Sequence, residues 1–179
     1  YALINENSDI NVIFFTEGSH LFSDFWRDLS NLNITEKLNT FILHGNGTVY
    51  DQQGNKIAQS FNKTIMKEML DNGKFQYHDK KQKKDIQLNT NLILTTYSQF
   101  NRIITAKDKI KLIKHYIQNK KKTIVLFDEF HNSIGDSTTK DMKDKILSLD
   151  TNGQICSIYS SATFLDNFSQ IMSFKNMLE

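Results

Sequence analysis

The sequence predicts an α/β protein in which a mostly parallel sheet is flanked by helices, and three observations carry that prediction. Five short runs rich in β-branched and aromatic residues occur along the chain, at 11–16, 40–43, 92–96, 123–127 and 155–159. Most of these runs are apolar at successive positions, as strands are when a sheet is buried on both faces. Segments with apolar residues at helical spacing lie between them, and alternation of strand with helix defines βαβ units.

Taken in order, the strand at 11–16 is followed by Ser19, placed to cap a helix whose apolar stripe is Leu21, Phe22, Phe25, Trp26 and Leu29. Trp26 on that stripe is expected in the core. After the strand at 40–43 the rhythm breaks, with Gly45, Gly47, Gly54 and Gly73 as interruptions and a helix expected over 62–70. The stretch 45–84 therefore reads as an insertion or long connection inside one domain spanning 1–179. Ile110, Ile113 and Ile117 mark a helix between the strands at 92–96 and 123–127. Met142, Ile146 and Leu149 mark another, and Phe164, Phe168, Ile171 and Met172 a last one.

Composition sets the bounds. At 179 residues, 39% hydrophobic and 23% charged, the chain can bury a core. No apolar run approaches the ~18 residues of a membrane span, and Tyr1 to Asn5 show no signal-peptide pattern. The expectation is a soluble intracellular protein, cytoplasmic or nuclear, not secreted and with no membrane partner. The lone Cys156, inside an apolar run, reads as a buried structural thiol. No pair of histidines has metal-ligand spacing, so no zinc is expected. With Lys+Arg 22 against Asp+Glu 20, the net charge of +2 does not by itself argue for nucleic acid. Two clusters stand out: Lys80, Lys81, Lys83 and Lys84, and a second running from Lys107 through Lys109, Lys111 and Lys114 to Lys122. Each reads as a solvated face, with a phosphate-binding stripe as the alternative.

The chemistry concentrates at two strand ends. The run 123–127 leads into Asp128-Glu129-Phe130-His131, and ligands of open α/β sheets bind beyond the carboxyl ends of strands. An acidic residue there can hold Mg²⁺ on a nucleoside triphosphate, and a neighbouring carboxylate can orient or deprotonate the attacking water. A solvated strand end is the alternative for this pair alone. The run 155–159 ends in Ser160-Ser161-Ala162-Thr163, which puts hydroxyls at a second strand end.

Together these segments resemble the Asp-Glu-x-His box and the Ser-Ala-Thr motif of superfamily 2 helicases, in the right order and about thirty residues apart. Leu92 to Phe100, with Thr95-Thr96-Tyr97-Ser98, is similar to the segment with which many such helicases touch the nucleic-acid backbone. Within the superfamily, Val12-Ile13-Phe14-Phe15-Thr16 with Asp24, Arg27 and Asp28, Phe127 to His131, and Ile158 to Thr163 resemble the strawberry notch family. Phe130 stands where that family has Cys.

The resemblance implies the first RecA-like lobe of an ATP-dependent helicase or translocase. It assigns Asp128 to Mg²⁺, Glu129 to the attacking water, and His131 to coupling the nucleotide site to the next strand. Ser161 and Thr163 would complete the ATP site, while Thr16, Ser19, Thr95, Thr96 and Ser98 would line the nucleic-acid groove. Its implied partners are DNA ahead of RNA, and a second RecA-like lobe of the same polypeptide. The sequence contains no G-x-x-x-x-G-K-[ST] loop. The expectation is that this loop lies upstream of residue 1 and that the 179 residues alone are inactive. A catalytically dead RecA-like scaffold and a double-stranded DNA translocase subunit are the competing readings.

Overall fold

A computed structural model describes residues 10–100, 103–118, 122–129, 143–150 and 152–160. The central sheet has five strands, all parallel: β1 (Ile10–Thr16), β2 (Thr40–Leu43), β7 (Leu92–Thr96), β8 (Lys122–Phe127) and β9 (Ile155–Tyr159). Their spatial order is β2-β7-β1-β8-β9, so β1 sits in the middle with β7 and β8 on either side. The predicted α/β class and parallel sheet are thus present, and the five expected runs are the five strands.

The period-two alternation of strands sorts the core into two clusters, one on each face. Ile13, Phe15, Phe41, Leu43, Ile93, Val125 and Phe127 point to one side. Val12, Phe14, Ile42, Leu92, Leu94 and Ile124 point to the other. The first face is covered by α2 (Lys63–Asn72) and α3 (Ile103–Gln118), through Met69, Leu112, Ile113 and Tyr116, with Ile146 of the helical residues 143–147 joining them. The second is covered by α1 (Leu21–Asn31), through Phe22, Trp26 and Leu29. Trp26 is buried as its stripe requires. The stripe at Phe164, Phe168, Ile171 and Met172, and Met142, lie outside the described residues.

Two expectations need correction. The residue preceding α1 is His20, and no side chain caps it; Ser19 contributes only its main-chain carbonyl, accepting from the Phe22 N–H at 3.3 Å. The short Gly18-Ser19-His20 turn already satisfies the first N–H groups through main-chain oxygens, leaving the Ser19 hydroxyl no such role. Cys156 is exposed rather than buried. Its partner in register is Ile124, so it lies on the face of α1, and the described residues leave that side of β9 open, with Ile158 45% exposed.

The stretch read as an insertion is ordered in a way periodicity did not show. It holds two antiparallel hairpins, β3 (Thr48–Tyr50) with β4 (Lys56–Gln59) and β5 (Gln76–Asp79) with β6 (Lys84–Gln87), on either side of α2. α2 starts at an Asn62 cap whose side chain accepts from the Ile65 N–H at 3.0 Å. It ends at Gly73, whose φ of 66° is the left-handed conformation that a helix stop requires. Met69, wholly buried, ties this helix into the core of the first face. The lysines at 80, 81, 83 and 84 lie in the β5–β6 turn region and are exposed. None of the described helices is long and apolar enough to cross a membrane.

Candidate functional site

The carboxyl ends of β7, β1, β8 and β9 lie side by side, and the polar residues of the candidate site gather there. Register pairs Thr16 with Thr96 across β1 and β7, and Phe127 with Tyr159 across β8 and β9. Asp128 follows β8 directly, its N–H donating to the Phe15 carbonyl at 2.9 Å as though the β1–β8 ladder ran one residue further. Its carboxylate therefore stands at the sheet's edge, part-buried, and accepts from the Thr16 hydroxyl at 3.4 Å, a long contact for that pair of atoms.

The firmer hold on Asp128 comes from Tyr97. The phenol donates to the Asp128 carbonyl at 2.8 Å, reaching past the end of β1 from β7's side. Tyr97 is buried, and its ring stacks with Phe15 at a centroid distance of 6.1 Å. Burial, and then the nearby charges of Asp128 and Glu129, raise its pKa far above the ordinary range, so the phenol keeps the proton it donates.

Glu129 has a φ of 49°, a left-handed conformation that is uncommon outside glycine and costs free energy in a residue with a side chain. Such backbone outliers occur at sites where the surrounding fold over-determines the geometry. Here the flanking contacts are the Asp128 N–H on β1 and the Asp128 carbonyl on Tyr97.

A cavity of about 300 Å³ opens beside Asp128, between α1 and the ends of β1, β8 and β9. Asp24, Asp28, Asp128 and Ser160 supply its polar lining, and Phe14 and Phe25, stacked 3.9 Å apart, part of its apolar wall. Asp24 is paired with Arg27 at 2.7 Å. Among the described residues no three carboxylate, histidine or cysteine groups converge to hold a metal. A single strand-end carboxylate nevertheless fits Mg²⁺, which keeps several waters and takes one or two carboxylates together with substrate phosphates.

The remaining site residues separate by burial. Thr95 is wholly buried and donates to the Leu43 carbonyl at 2.9 Å. Thr96 is 1% exposed and its hydroxyl meets that of Ser98 at 3.0 Å. Thr16 is wholly buried as well. These three hydroxyls face internal partners, whereas Ser98 is exposed and Ser19 half-buried. His131, Ser161 and Thr163 lie outside the described residues; Ser160, just before Ser161, donates its N–H to the Phe127 carbonyl at 2.9 Å. Tyr97 was legible as part of a strand end but not as the residue that holds Asp128, because nothing in a sequence marks a contact across 31 residues.

No family model, curated protein or solved structure matches this chain.

Proposed function

We propose that this chain forms part of the first RecA-like lobe of a superfamily 2 motor, which couples ATP hydrolysis to movement on nucleic acid, DNA ahead of RNA. The observation that supports it most is the Asp128-Glu129 pair at the carboxyl end of β8, an interior strand of a wholly parallel sheet, beside the serine-ended β9. In this reading Mg²⁺, when bound with ATP, would supply positive charge that offsets the charge developed in phosphoryl transfer. Asp128 would hold that ion, with its carbonyl fixed by Tyr97. Glu129 would orient the attacking water and accept its proton, and His131, Ser161 and Thr163 would link the nucleotide to the neighbouring strand. The phosphate-binding loop and the second lobe would come from sequence other than these 179 residues.

The test is ATP hydrolysis by the full-length polypeptide, with and without single- and double-stranded DNA and RNA. Stimulation by one of them, abolished in Glu129→Gln while ATP binding persists, is the expected result. Normal turnover in Glu129→Gln sinks the role given to that residue. No hydrolysis by the folded protein under any condition favours a catalytically dead scaffold instead.

A further inference from the structure

A second cavity, also of about 300 Å³, lies at the carboxyl end of β2, where the insertion's helix α2 meets α3. His44, Lys63, Lys67 and Lys109 give it its basic side, and Phe61 and Met66 an apolar wall. Three features of it are unusual for a solvated lysine face.

Lys109 is half-buried, and its ammonium donates to the Gln99 carbonyl at 2.8 Å and the Gln99 side-chain oxygen at 2.9 Å. Both acceptors are neutral, and among the described residues no carboxylate pairs with it. Burial lowers its pKa, with no charge to offset the loss of water. A cation withdrawn from water without a counter-charge is costly unless an anion arrives to pair with it.

Lys63 and Lys67 sit four residues apart on α2, so two like charges share one helix face and repel. His44 completes the group. Its Nδ1 accepts from the Asn46 N–H at 3.2 Å, and burial, followed by the Lys109 charge, keeps the imidazole from protonating over its ordinary range. The other charged groups on the rim are Asp71 and Asp108, and the latter is engaged by Lys111 at 3.3 Å.

Gln99, which anchors Lys109, follows the exposed Ser98 in the 3-10 turn Tyr97–Phe100 at the end of β7. Through Lys109 and Gln99 the basic pocket is tied to the turn that ends β7, the strand next to β1. Its apolar wall suits the sugar of an organic phosphate better than a bare inorganic ion.

We propose that this pocket, built largely by the insertion, binds a backbone phosphate of a nucleic-acid strand through Lys63, Lys67 and Lys109. The inference rests on the reading of the chain as a nucleic-acid-dependent motor and deepens it. It names where the strand would lie and which residues outside the helicase-like motifs would hold it. Because phosphate contacts carry no sequence information, the contribution is to affinity and not to base choice.

The experiment is fluorescence-anisotropy titration of the full-length polypeptide with oligothymidylate and oligouridylate at several salt concentrations, comparing the native protein with Lys63→Gln/Lys67→Gln. Both lysines are exposed, so the fold is expected to survive, which circular dichroism checks. Weaker binding to both oligonucleotides is expected, with the slope of log K against log salt shallower by about 0.7 for each lysine–phosphate pair removed. A Lys63→Arg/Lys67→Arg protein should restore it. Unchanged affinity and slope in the glutamine variant, when the native protein binds, overturn the pocket's role and leave the motor reading standing. Failure of the native protein to bind either oligonucleotide overturns the proposal, while ATP hydrolysis separately decides the motor. If inorganic phosphate alone shifts the His44 ring resonances and neither oligonucleotide does, the nucleic-acid occupant is overturned.

Discussion

Tyr97 and Asp128 are joined by a 2.8 Å hydrogen bond from phenol to main-chain carbonyl, although their strands are not neighbours and β1 lies between them. The bond spans the carboxyl end of the central strand, so the turn that carries the candidate carboxylates is clamped from the far side of β1. Tyr97→Phe keeps the ring stacking and removes only this donor, leaving a part-buried carbonyl without its partner. The expected cost is about 1–2 kcal/mol, read as a lower urea midpoint with an unchanged slope. An unaltered midpoint would show that the clamp contributes nothing to the folded state.

Glu129 offers the opposite case. Its φ of 49° is one that glycine adopts without penalty. Glu129→Gly should therefore stabilise the fold, by about 1 kcal/mol, while deleting the carboxylate assigned to the attacking water. Denaturation of the variant reads the first effect and ATP hydrolysis by the full-length protein the second. A destabilised Glu129→Gly protein would mean that the side chain's own contacts outweigh the backbone strain.

The insertion is bound into the domain through Met69, which is wholly buried in the same cluster as Phe41, Leu112 and Tyr116. Met69→Ala should cost about 2–5 kcal/mol in chemical denaturation, the range for truncating a buried aliphatic side chain. A loss below about 0.5 kcal/mol would identify α2 as a separable appendage whose removal the sheet tolerates.

His44 predicts a pH dependence of stability. Burial, and then the Lys109 charge, place its folded pKa below the ordinary value of 6.5. The unfolded chain therefore takes up the proton first. The stability this provides is complete above the unfolded pKa and is lost as pH falls through the folded one. Protonation would also forfeit the Nδ1 acceptor that meets the Asn46 N–H and place a second cation beside Lys109. Urea midpoints measured from about pH 8 to about pH 5 should fall more for the native protein than for His44→Gln. Parallel profiles would show that His44 is not the titrating group.

The sequence by itself determined the parallel sheet. Near-continuous apolar runs at 11–16, 40–43, 92–96 and 123–127 can be buried on both faces only between helices, and the stripe through Phe22, Trp26 and Leu29 can be buried only against such a sheet. It also placed Asp128 and Glu129 at a strand end, because the apolar run stops there. The tertiary structure alone decided which strand ends are neighbours, since the order β2-β7-β1-β8-β9 is set by packing and not by local spacing. That order brings Thr16 and Tyr97 to Asp128 and turns the Thr95 hydroxyl inward to Leu43. The same limit explains Cys156, whose apolar surroundings in sequence implied burial while its strand's position at the end of the described sheet leaves it exposed. Periodicity records which faces a segment wants to bury; only the folded chain fixes what stands opposite each face, and hydrogen bonds across 31 or 112 residues follow from that alone.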